Sequence, residues 1–259
     1  MTTEYKHLSV HLDNNIARVT LTRPEKRNAI SLEFVQEIND CFSSLPDAVR
    51  AVVINGQGDH FCAGLDLSEV REHTVPQSVR HSRLWHEAFE RIQFGKAPVI
   101  AVLHGAVVGG GLELASAAHI RVAETTAFYA LPEGKRGLFV GGGGSVRISR
   151  LIGVNWMSDM MLTGRVLSAE EGQQIGISTY LAESGQGLEK ALQLAQGIAT
   201  NAEMTNYGVM HMLPRIADQT IQDGLATESL MAAVAQTDPQ TRHLLSEFLD
   251  KKQNKVQRS

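Results

Sequence analysis

The sequence predicts an α/β fold with a largely parallel sheet, and three observations predict it. Short apolar runs alternate with helical patterns through the first two thirds of the chain. Two of those runs, residues 51–54 and 98–103, are almost continuously apolar, which is typical of strands buried on both faces. A strand, a helix and a strand in succession also form a right-handed parallel unit, so we expect most strands to be parallel.

The elements of this core follow one another in order. Residues 16–22 alternate apolar and polar side chains and are rich in β-branched residues, which predicts a strand. Ser31 is the expected N-cap of the helix that follows it. Residues 77–94 show a helical pattern, residues 109–118 predict a compact helix that starts with three glycines, and residues 119–123 predict a further strand.

The last third of the chain has a different, mainly helical pattern. Ser168 and Glu171 have the spacing of a capping box, which predicts a helix start. Helical patterns then cover residues 187–200, 202–213, 220–236 and a final segment that begins after Asp238-Pro239. We therefore predict an α/β core over residues 1–190 and a helical region over residues 191–259.

Composition excludes several classes of function. The chain has 259 residues, 24 Lys and Arg against 28 Asp and Glu, and a formal net charge of −4, which argues against sequence-independent binding of nucleic acid. No apolar stretch is long enough for a membrane-spanning helix, and the first ten residues lack the pattern of a secretory signal. With only two cysteines, Cys41 and Cys62, we expect a reduced cytoplasmic protein.

Three turn-rich segments, residues 61–67, 105–114 and 131–137, follow apolar strands, where open α/β sheets bind their ligands. The second opens a helix, whose first N–H groups have no partner inside the helix and attract negative charge. A second amide from Ala63-Gly64-Leu65 would complete a site for a carbonyl oxygen that gains charge. On the glycines alone, tight turns and close helix–sheet packing explain the pattern better than a binding site does. A dinucleotide site or P-loop fits less well, because the required glycine and Lys-Ser or Lys-Thr spacings are missing.

Five motifs in order resemble the crotonase, or enoyl-CoA hydratase/isomerase, family. They are RPEKRNAIS at 23–31, FCAGLDL at 61–67, APVIAVLHGAVVGGGLELA at 97–115, LPE at 131–133 and LTGRVLSAEEGQQIGI at 162–177. The resemblance implies a crotonase-like spiral of ββα turns that carries the CoA and acyl site, with a C-terminal helical trimerisation region. It also implies an acyl-CoA substrate and a homotrimer or a dimer of trimers.

The resemblance also implies roles for particular residues. The N–H groups of Leu65 and Gly110 match the pair that holds the thioester oxygen, and Glu113 and Glu133 match the two acid/base glutamates of hydratases. Our hypothesis is that Glu113 activates water and Glu133 exchanges the Cα proton. Without the resemblance, Glu113 would only favour the helix dipole and Glu133 would be a polar surface residue.

For coenzyme A, the matching segments contain Lys26, Arg27, Ala29, Ala63, Gly64, Asp66 and Leu67. Most of their contacts would come from main-chain groups. For each basic side chain, the alternative to binding coenzyme A is an ordinary solvated position on the surface. Coenzyme A would enter as part of the substrate. No nicotinamide, flavin or metal is therefore expected.

The chain departs from the family pattern after Glu133, where Lys135 and Arg136 follow and glycines fill positions 141–144. The basic pair would either lower the pKa of Glu133 or point to a subunit interface, and the glycines would leave room for a bulky acyl chain. Three hypotheses remain open. They are reversible hydration of a 2-enoyl-CoA, another crotonase-type reaction (double-bond isomerisation, thioester hydrolysis or hydratase–lyase cleavage), and a non-catalytic oligomeric CoA-binding protein.

Overall fold

The computed structural model describes residues 5–69 and 72–256, and the chain divides into two compact units between Ala199 and Thr200. The first unit is mixed α/β and the second is helical. The division predicted at residues 190 and 191, and the roles given to the two parts, stay predictions. The two ends of those predicted parts, residues 1–4 and 257–259, lie outside the described residues.

Nine strands of the described chain form two sheets, both in the first unit. They are β1 (Leu8–Asp13), β2 (Ile16–Leu21), β3 (Ala51–Gly56), β4 (Val99–Leu103), β5 (Ala106–Val108), β6 (Ile120–Glu124), β7 (Phe128–Ala130), β8 (Val166–Ser168) and β9 (Tyr180–Ala182). The larger sheet has the order β1-β2-β3-β4-β6-β9, and the smaller has the order β5-β7-β8. Only the β1–β2 and β7–β8 pairs are antiparallel. The predicted parallel α/β class is therefore confirmed.

Six α-helices lie within the described residues of the first unit. They are α1 (Leu32–Ser43), α2 (Val75–Gln93), α3 (Gly110–Ala117), α4 (Gly144–Thr163, interrupted at Gly153), α5 (Ala169–Ile175) and α6 (Gly187–Ala199). Two predicted helix starts are confirmed. The Ser31 side chain accepts a hydrogen bond from the Phe34 amide, and Ser168 and Glu171 form a reciprocal capping box.

Helices cover both faces of the six-stranded sheet. Successive residues of a strand point to opposite sides, so each face has apolar side chains for a helix to cover. In β3, Val52 and Ile54 belong to the larger hydrophobic cluster, and Ala51 and Val53 belong to a second, smaller one. The small residues Ala191 and Ala195 of α6 are buried in that second cluster. This packing explains why the first unit includes all of α6.

The second unit consists of helical segments. They are α7 (Glu203–Tyr207), a π-helical segment (Gly208–Met212), α8 (Leu213–Ala217), α9 (Ile221–Thr237) and α10 (Pro239–Val256). Several large apolar side chains of these helices are exposed, among them Ile221, Leu230 and Phe248. Across both units, no helix within the described residues is long and apolar enough to cross a membrane.

The small sheet brings together the three segments singled out in the sequence. Strand β5 pairs in parallel with β7, and Val107 of β5 also forms an isolated bridge with Cys62. Helix α3 follows β5 and the turn of Glu133 follows β7. The start of α3 and the turn of Glu133 therefore lie side by side. The Gly109 amide donates to the Ala130 carbonyl at 2.9 Å and fixes this junction.

Candidate active site

Two main-chain amides, those of Leu65 and Gly110, lie next to each other at the start of α3. A Cβ placed on Gly110 would lie 3.4 Å from the Leu65 nitrogen and 2.8 Å from the Trp85 ring, so this approach requires glycine. Gly64, with a φ of +91°, is equally close to the start of α3. Within residues 5–69 and 72–256, neither amide donates a hydrogen bond to the protein. Both amides could therefore donate to the oxygen of a bound molecule.

Hydrogen bonds on the other side of the loop hold the Leu65 amide in place. The Ile30 amide donates to the Gly64 carbonyl at 2.7 Å, and the Asp66 amide donates to the Ile30 carbonyl at 2.9 Å. The Cys62 thiol donates to the Asn28 carbonyl and accepts from the Gly64 amide. Burial raises the pKa of Cys62 to about 12, so this thiol supports the loop and is unsuited to act as a nucleophile.

Glu113 lies in the first turn of α3 with its side chain buried. Its Oε1 accepts hydrogen bonds from the amides of Gly142 and Gly144, both at 2.8 Å. Burial raises the pKa of Glu113 above the ordinary glutamate value, while these amides and the charge of Arg147 act in the opposite direction. The carboxyl is thus fixed in orientation and keeps its proton to a higher pH than a surface glutamate.

Glu133 begins the short 3₁₀ turn Gly134–Arg136 that follows β7, and it is half-buried. Burial raises its pKa, and the nearby Glu113 carboxylate raises it further, whereas Arg136 lowers it. Among the described residues, its Oε2 is buried without a hydrogen-bond partner. Of the two effects proposed for the basic pair, the lowering by Arg136 is present, but burial outweighs it.

All four of these residues line one cavity of about 610 Å³. Leu65 and Gly110 supply main-chain amides to it, and Glu113 and Glu133 supply carboxyl groups. The rest of the wall is largely apolar, with Leu67, Val75, Val79, Trp85, Val108, Leu138, Phe139 and Val140. Histidine, arginine and serine side chains also line the cavity, and its apolar side chains suit an apolar acyl chain whose carbonyl is held at one end.

The residues matched to coenzyme A divide into two groups. Ala63, Gly64 and Leu67 line the cavity, whereas Lys26, Arg27, Ala29 and Asp66 do not. The Lys26 and Arg27 side chains are exposed.

Asp66 has a structural role in this loop. Its buried carboxylate lies 2.8 Å from an Arg23 nitrogen and accepts a hydrogen bond from the Ser68 hydroxyl at 2.6 Å. These contacts lower the pKa of Asp66, with the Ser68 hydroxyl as the largest cause. Asp66 thereby ties the turn that contains Lys26 and Arg27 to the amide loop.

Sequence reasoning missed the amides that hold Glu113. The run of four glycines was interpreted as added space for an acyl chain, but Gly142 and Gly144 bring their backbones against the Glu113 carboxyl. Trp85 is buried and also lines the cavity beside Gly110. The glycine run itself was the available signal, since closely spaced glycines allow a backbone to wrap around a side chain.

The fold and site define a class of α/β protein in which unpaired main-chain amides and carboxyl groups share one apolar cavity. Among the described residues, no group of three or more His, Cys, Asp and Glu side chains is placed to hold a metal ion. Chemistry at this site would rest on hydrogen bonding to an oxygen and on proton transfer by carboxyl groups.

Comparison with known proteins gives the family. Residues 11–258 match the family model described as enoyl-CoA hydratase/isomerase. The 2,3-dehydroadipyl-CoA hydratase of Escherichia coli (strain K12) is 30% identical over 249 residues, which is 95% of this chain and 96% of that protein. The short-chain-enoyl-CoA hydratase of Clostridium acetobutylicum is 27% identical over 252 residues, which is 96% of this chain and 97% of that protein.

A crystal structure from Rhodopseudomonas palustris CGA009, provisionally assigned as an enoyl-CoA hydratase, is 54% identical. It superimposes with a TM-score of 0.94 and covers 96% of each chain. The chain therefore belongs to the enoyl-CoA hydratase/isomerase, or crotonase, family, as its motifs predicted. This is a family of enzymes that act on acyl-CoA substrates, and the named hydratases among the relatives are hydro-lyases.

Proposed function

We propose that the protein catalyses the reversible hydration of a 2-enoyl-CoA thioester to a 3-hydroxyacyl-CoA. The observation that carries the proposal is the shared cavity of Leu65, Gly110, Glu113 and Glu133. It combines two unpaired amide donors with two carboxyl groups of raised pKa. Addition of water across a conjugated double bond needs both kinds of group.

The amides of Leu65 and Gly110 would bind the thioester oxygen. Negative charge develops on this oxygen when water attacks Cβ, so donors fixed in advance stabilise the transition state more than the substrate. Each donor of this kind contributes about 3 kcal/mol to catalysis. The same polarisation makes Cβ a better electrophile and Cα a better acceptor of a proton.

The two carboxyl groups would divide the proton transfers. Glu113, held by two amides, would orient and activate the attacking water, and Glu133 would exchange the proton at Cα. The buried Oε2 of Glu133 has no hydrogen-bond partner among the described residues, so it is suited to accept and donate a proton. A carboxyl pKa above the ordinary value supports both roles, because an efficient acid or base titrates near the working pH.

Coenzyme A would be bound as part of the substrate, with no separate cofactor. Ala63, Gly64 and Leu67 would contact it at the mouth of the cavity, and Lys26, Arg27, Ala29 and Asp66 belong to the neighbouring turns. The relatives named 2,3-dehydroadipyl-CoA hydratase and short-chain-enoyl-CoA hydratase support a hydration reaction on a CoA thioester.

The experiment follows loss of the ultraviolet absorbance of the conjugated thioester over a panel of 2-enoyl-CoA substrates. We expect Glu113→Gln and Glu133→Gln each to lower kcat by about 10²- to 10⁴-fold, because each removes an acid/base group. Glu189→Gln, at an exposed position on α6, is the matched control and should behave as the wild type.

Near-wild-type turnover in both folded glutamine variants would reject the mechanism. Binding of coenzyme A without turnover of any thioester in the panel would favour a non-catalytic CoA-binding protein. Turnover without a gain or loss of water, followed by mass spectrometry, would favour another reaction of the family.

We also propose a homotrimer or a dimer of trimers, built through the helical C-terminal region. The exposed apolar side chains of α9 and α10 support this proposal, since large exposed apolar surfaces are typical of interfaces. Light scattering on the full chain measures the mass directly, and a monomer would contradict it. The cytoplasmic location stays a prediction of the sequence.

A further inference from the structure

Arg147 is the charged residue that contacts the glycine loop behind Glu113. It lies in the first turn of α4 and is half-buried. Its Nη1 donates a hydrogen bond to the Gly142 carbonyl at 3.2 Å, and its Nε donates to Oε1 of Gln93, at the end of α2, at 2.7 Å. The guanidinium therefore links α2 to the loop of residues 141–144.

The carbonyl that Arg147 binds lies between the two amides that hold Glu113. Gly142 and Gly144 both donate to Glu113 Oε1 at 2.8 Å, and the Gly142 carbonyl lies between these N–H groups along the chain. A run of glycines is conformationally free, so two such amides converge on one oxygen only if something fixes the backbone. The Arg147 guanidinium binds this backbone at the Gly142 carbonyl, and the Ser82 hydroxyl donates to the Gly141 carbonyl. A Cβ on Gly143 would collide with the guanidinium.

We propose that Arg147 is a positioning residue for Glu113, which it holds through the glycine loop and whose ionised form it stabilises from behind the site. The proposal rests on the acid/base role proposed for Glu113. It assigns to Arg147 the function of keeping two amide donors aimed at one carboxyl oxygen. Arg147 itself would touch neither the substrate nor the attacking water.

The electrostatic part of this proposal agrees with the surroundings of both groups. The Arg147 charge lowers the pKa of Glu113, and Glu113 and Glu90 raise that of Arg147, while burial acts against ionisation of each. Other titratable or charged side chains lie around the same cavity and loop, namely His73, His81, Arg83, His86, Glu133 and Arg136. Of these, Glu133 interacts electrostatically with Glu113, which raises the pKa of Glu133.

The geometry requires arginine at this position. A guanidinium donates from Nε and Nη1 in a fixed plane, so one group reaches the Gln93 side chain and the Gly142 carbonyl together. A lysine ammonium would keep the positive charge but would hold only one of these partners firmly. The two replacements, Arg147→Lys and Arg147→Gln, therefore separate the charge from the geometry.

The first measurement is the titration of the Glu113 carboxyl by ¹³C NMR on glutamate-labelled protein, with Glu113→Gln used to assign the signal. We expect the titration midpoint to move to higher pH in Arg147→Gln and to stay near that of the wild type in Arg147→Lys. Arg150→Gln, at an exposed position three residues further along α4, is the matched control and should leave the midpoint in place.

The second measurement is the steady-state hydration of a 2-enoyl-CoA. We expect both Arg147 variants to lower kcat at pH 7 by about tenfold or more with little change in KM, because a misdirected acid/base group slows chemistry more than binding. In Arg147→Gln the acidic limb of the kcat profile should also move to higher pH. A residue with only a structural role would change stability but would leave that limb in place.

If Arg147→Gln fails to fold, Gln93→Ala tests the proposal instead. It removes the Gln93 acceptor of the Arg147 guanidinium and keeps the Arg147 charge. We expect a smaller loss of kcat from this variant, again at nearly constant KM. An unchanged Glu113 midpoint in folded Arg147→Gln, or an unchanged kcat in Gln93→Ala when Arg147→Gln is unfolded, would overturn the proposal. Absence of hydratase activity in the wild type would reject the proposed function. The NMR titration needs no turnover, so it would still test the effect of Arg147 on Glu113.

Discussion

Two pairs of main-chain amides lie near the starts of the neighbouring helices α3 and α4, and they differ in the group to which they donate. The open pair, Leu65 and Gly110 at the start of α3, donates no hydrogen bond within the part of the chain that the structure describes. The occupied pair, Gly142 and Gly144 at the start of α4, donates to the Glu113 carboxyl. One pair is left for a ligand and the other is satisfied by the protein.

The difference shows that main-chain amides near a helix start can bind either a carboxyl group of the protein or an oxygen of a ligand. An unpaired amide at a helix start attracts negative charge wherever it occurs, from a carboxylate of the protein or from an oxygen of the substrate. Glu113 satisfies the occupied pair, so under the proposed function the thioester oxygen would bind at the open pair. The same contact fixes the carboxyl beside the place where that oxygen would lie.

The largest effect is expected from a change that breaks the open pair. A methyl group at Gly110 would lie 2.8 Å from the Trp85 ring and 3.4 Å from the Leu65 nitrogen, so Gly110→Ala should push the two amides apart. Loss of one such donor lowers kcat by about 10²- to 10³-fold. Steady-state hydration kinetics with a 2-enoyl-CoA measure the loss.

The matched control for this change is Gly197→Ala on α6, where an added Cβ meets no atom within 4 Å. It should keep the activity of the wild type and raise stability slightly, because alanine favours a helix by about 1 kcal/mol over glycine. A folded Gly110→Ala variant with wild-type kcat would contradict the role of the open pair.

A change to the occupied pair should have a smaller effect. A methyl group at Gly144 would lie 2.8 Å from Cγ and 2.9 Å from Oε1 of Glu113, so Gly144→Ala should displace the carboxyl while leaving the open pair intact. We expect kcat to fall by about 10- to 100-fold with KM nearly unchanged, since the misplaced group acts in the chemical step. Equal kcat losses in Gly144→Ala and Gly110→Ala would remove the distinction between the pairs.

Much of the fold could be predicted from the sequence because its signals are local. The apolar runs of β3 and β4 and the caps at Ser31 and Ser168 depend on neighbouring residues only. Several elements were missed, and for two of them the physical reason is plain. Strand β1 is largely exposed and lacks an apolar run, and α4 starts inside a glycine run that is more typical of a loop.

The site was predictable only in part. Leu65, Gly110, Glu113 and Glu133 came from the resemblance, and the structure brings them to one cavity, although their roles stay proposals. For the occupied pair the glycine run was only an indirect signal, because the residue type does not show which group a main-chain amide will bind. The chain also separates Glu113 from Gly142 by 29 positions.

The second carboxyl sharpens the comparison, because its own main-chain amide, and no pair of glycine amides among the described residues, lowers its pKa by hydrogen bonding. Glu133 has a raised pKa, caused first by burial and then by the charge of Glu113, and its Oε2 has no partner among the described residues. A carboxyl whose pKa is higher in the folded than in the unfolded state stabilises the fold only while protonated. That contribution is full below the ordinary glutamate pKa and is lost as pH rises through the higher, folded value.

Glu133→Gln replaces this group by a neutral one of the same shape, so its advantage in stability should appear only as pH rises. We expect equal melting temperatures for the variant and the wild type in acid, and a rise on the order of 2 °C for the variant above neutral pH. Scanning calorimetry from acid to mildly alkaline pH measures the difference. A difference independent of pH would mean that the Glu133 carboxyl titrates alike in the folded and unfolded states, which would contradict its raised pKa.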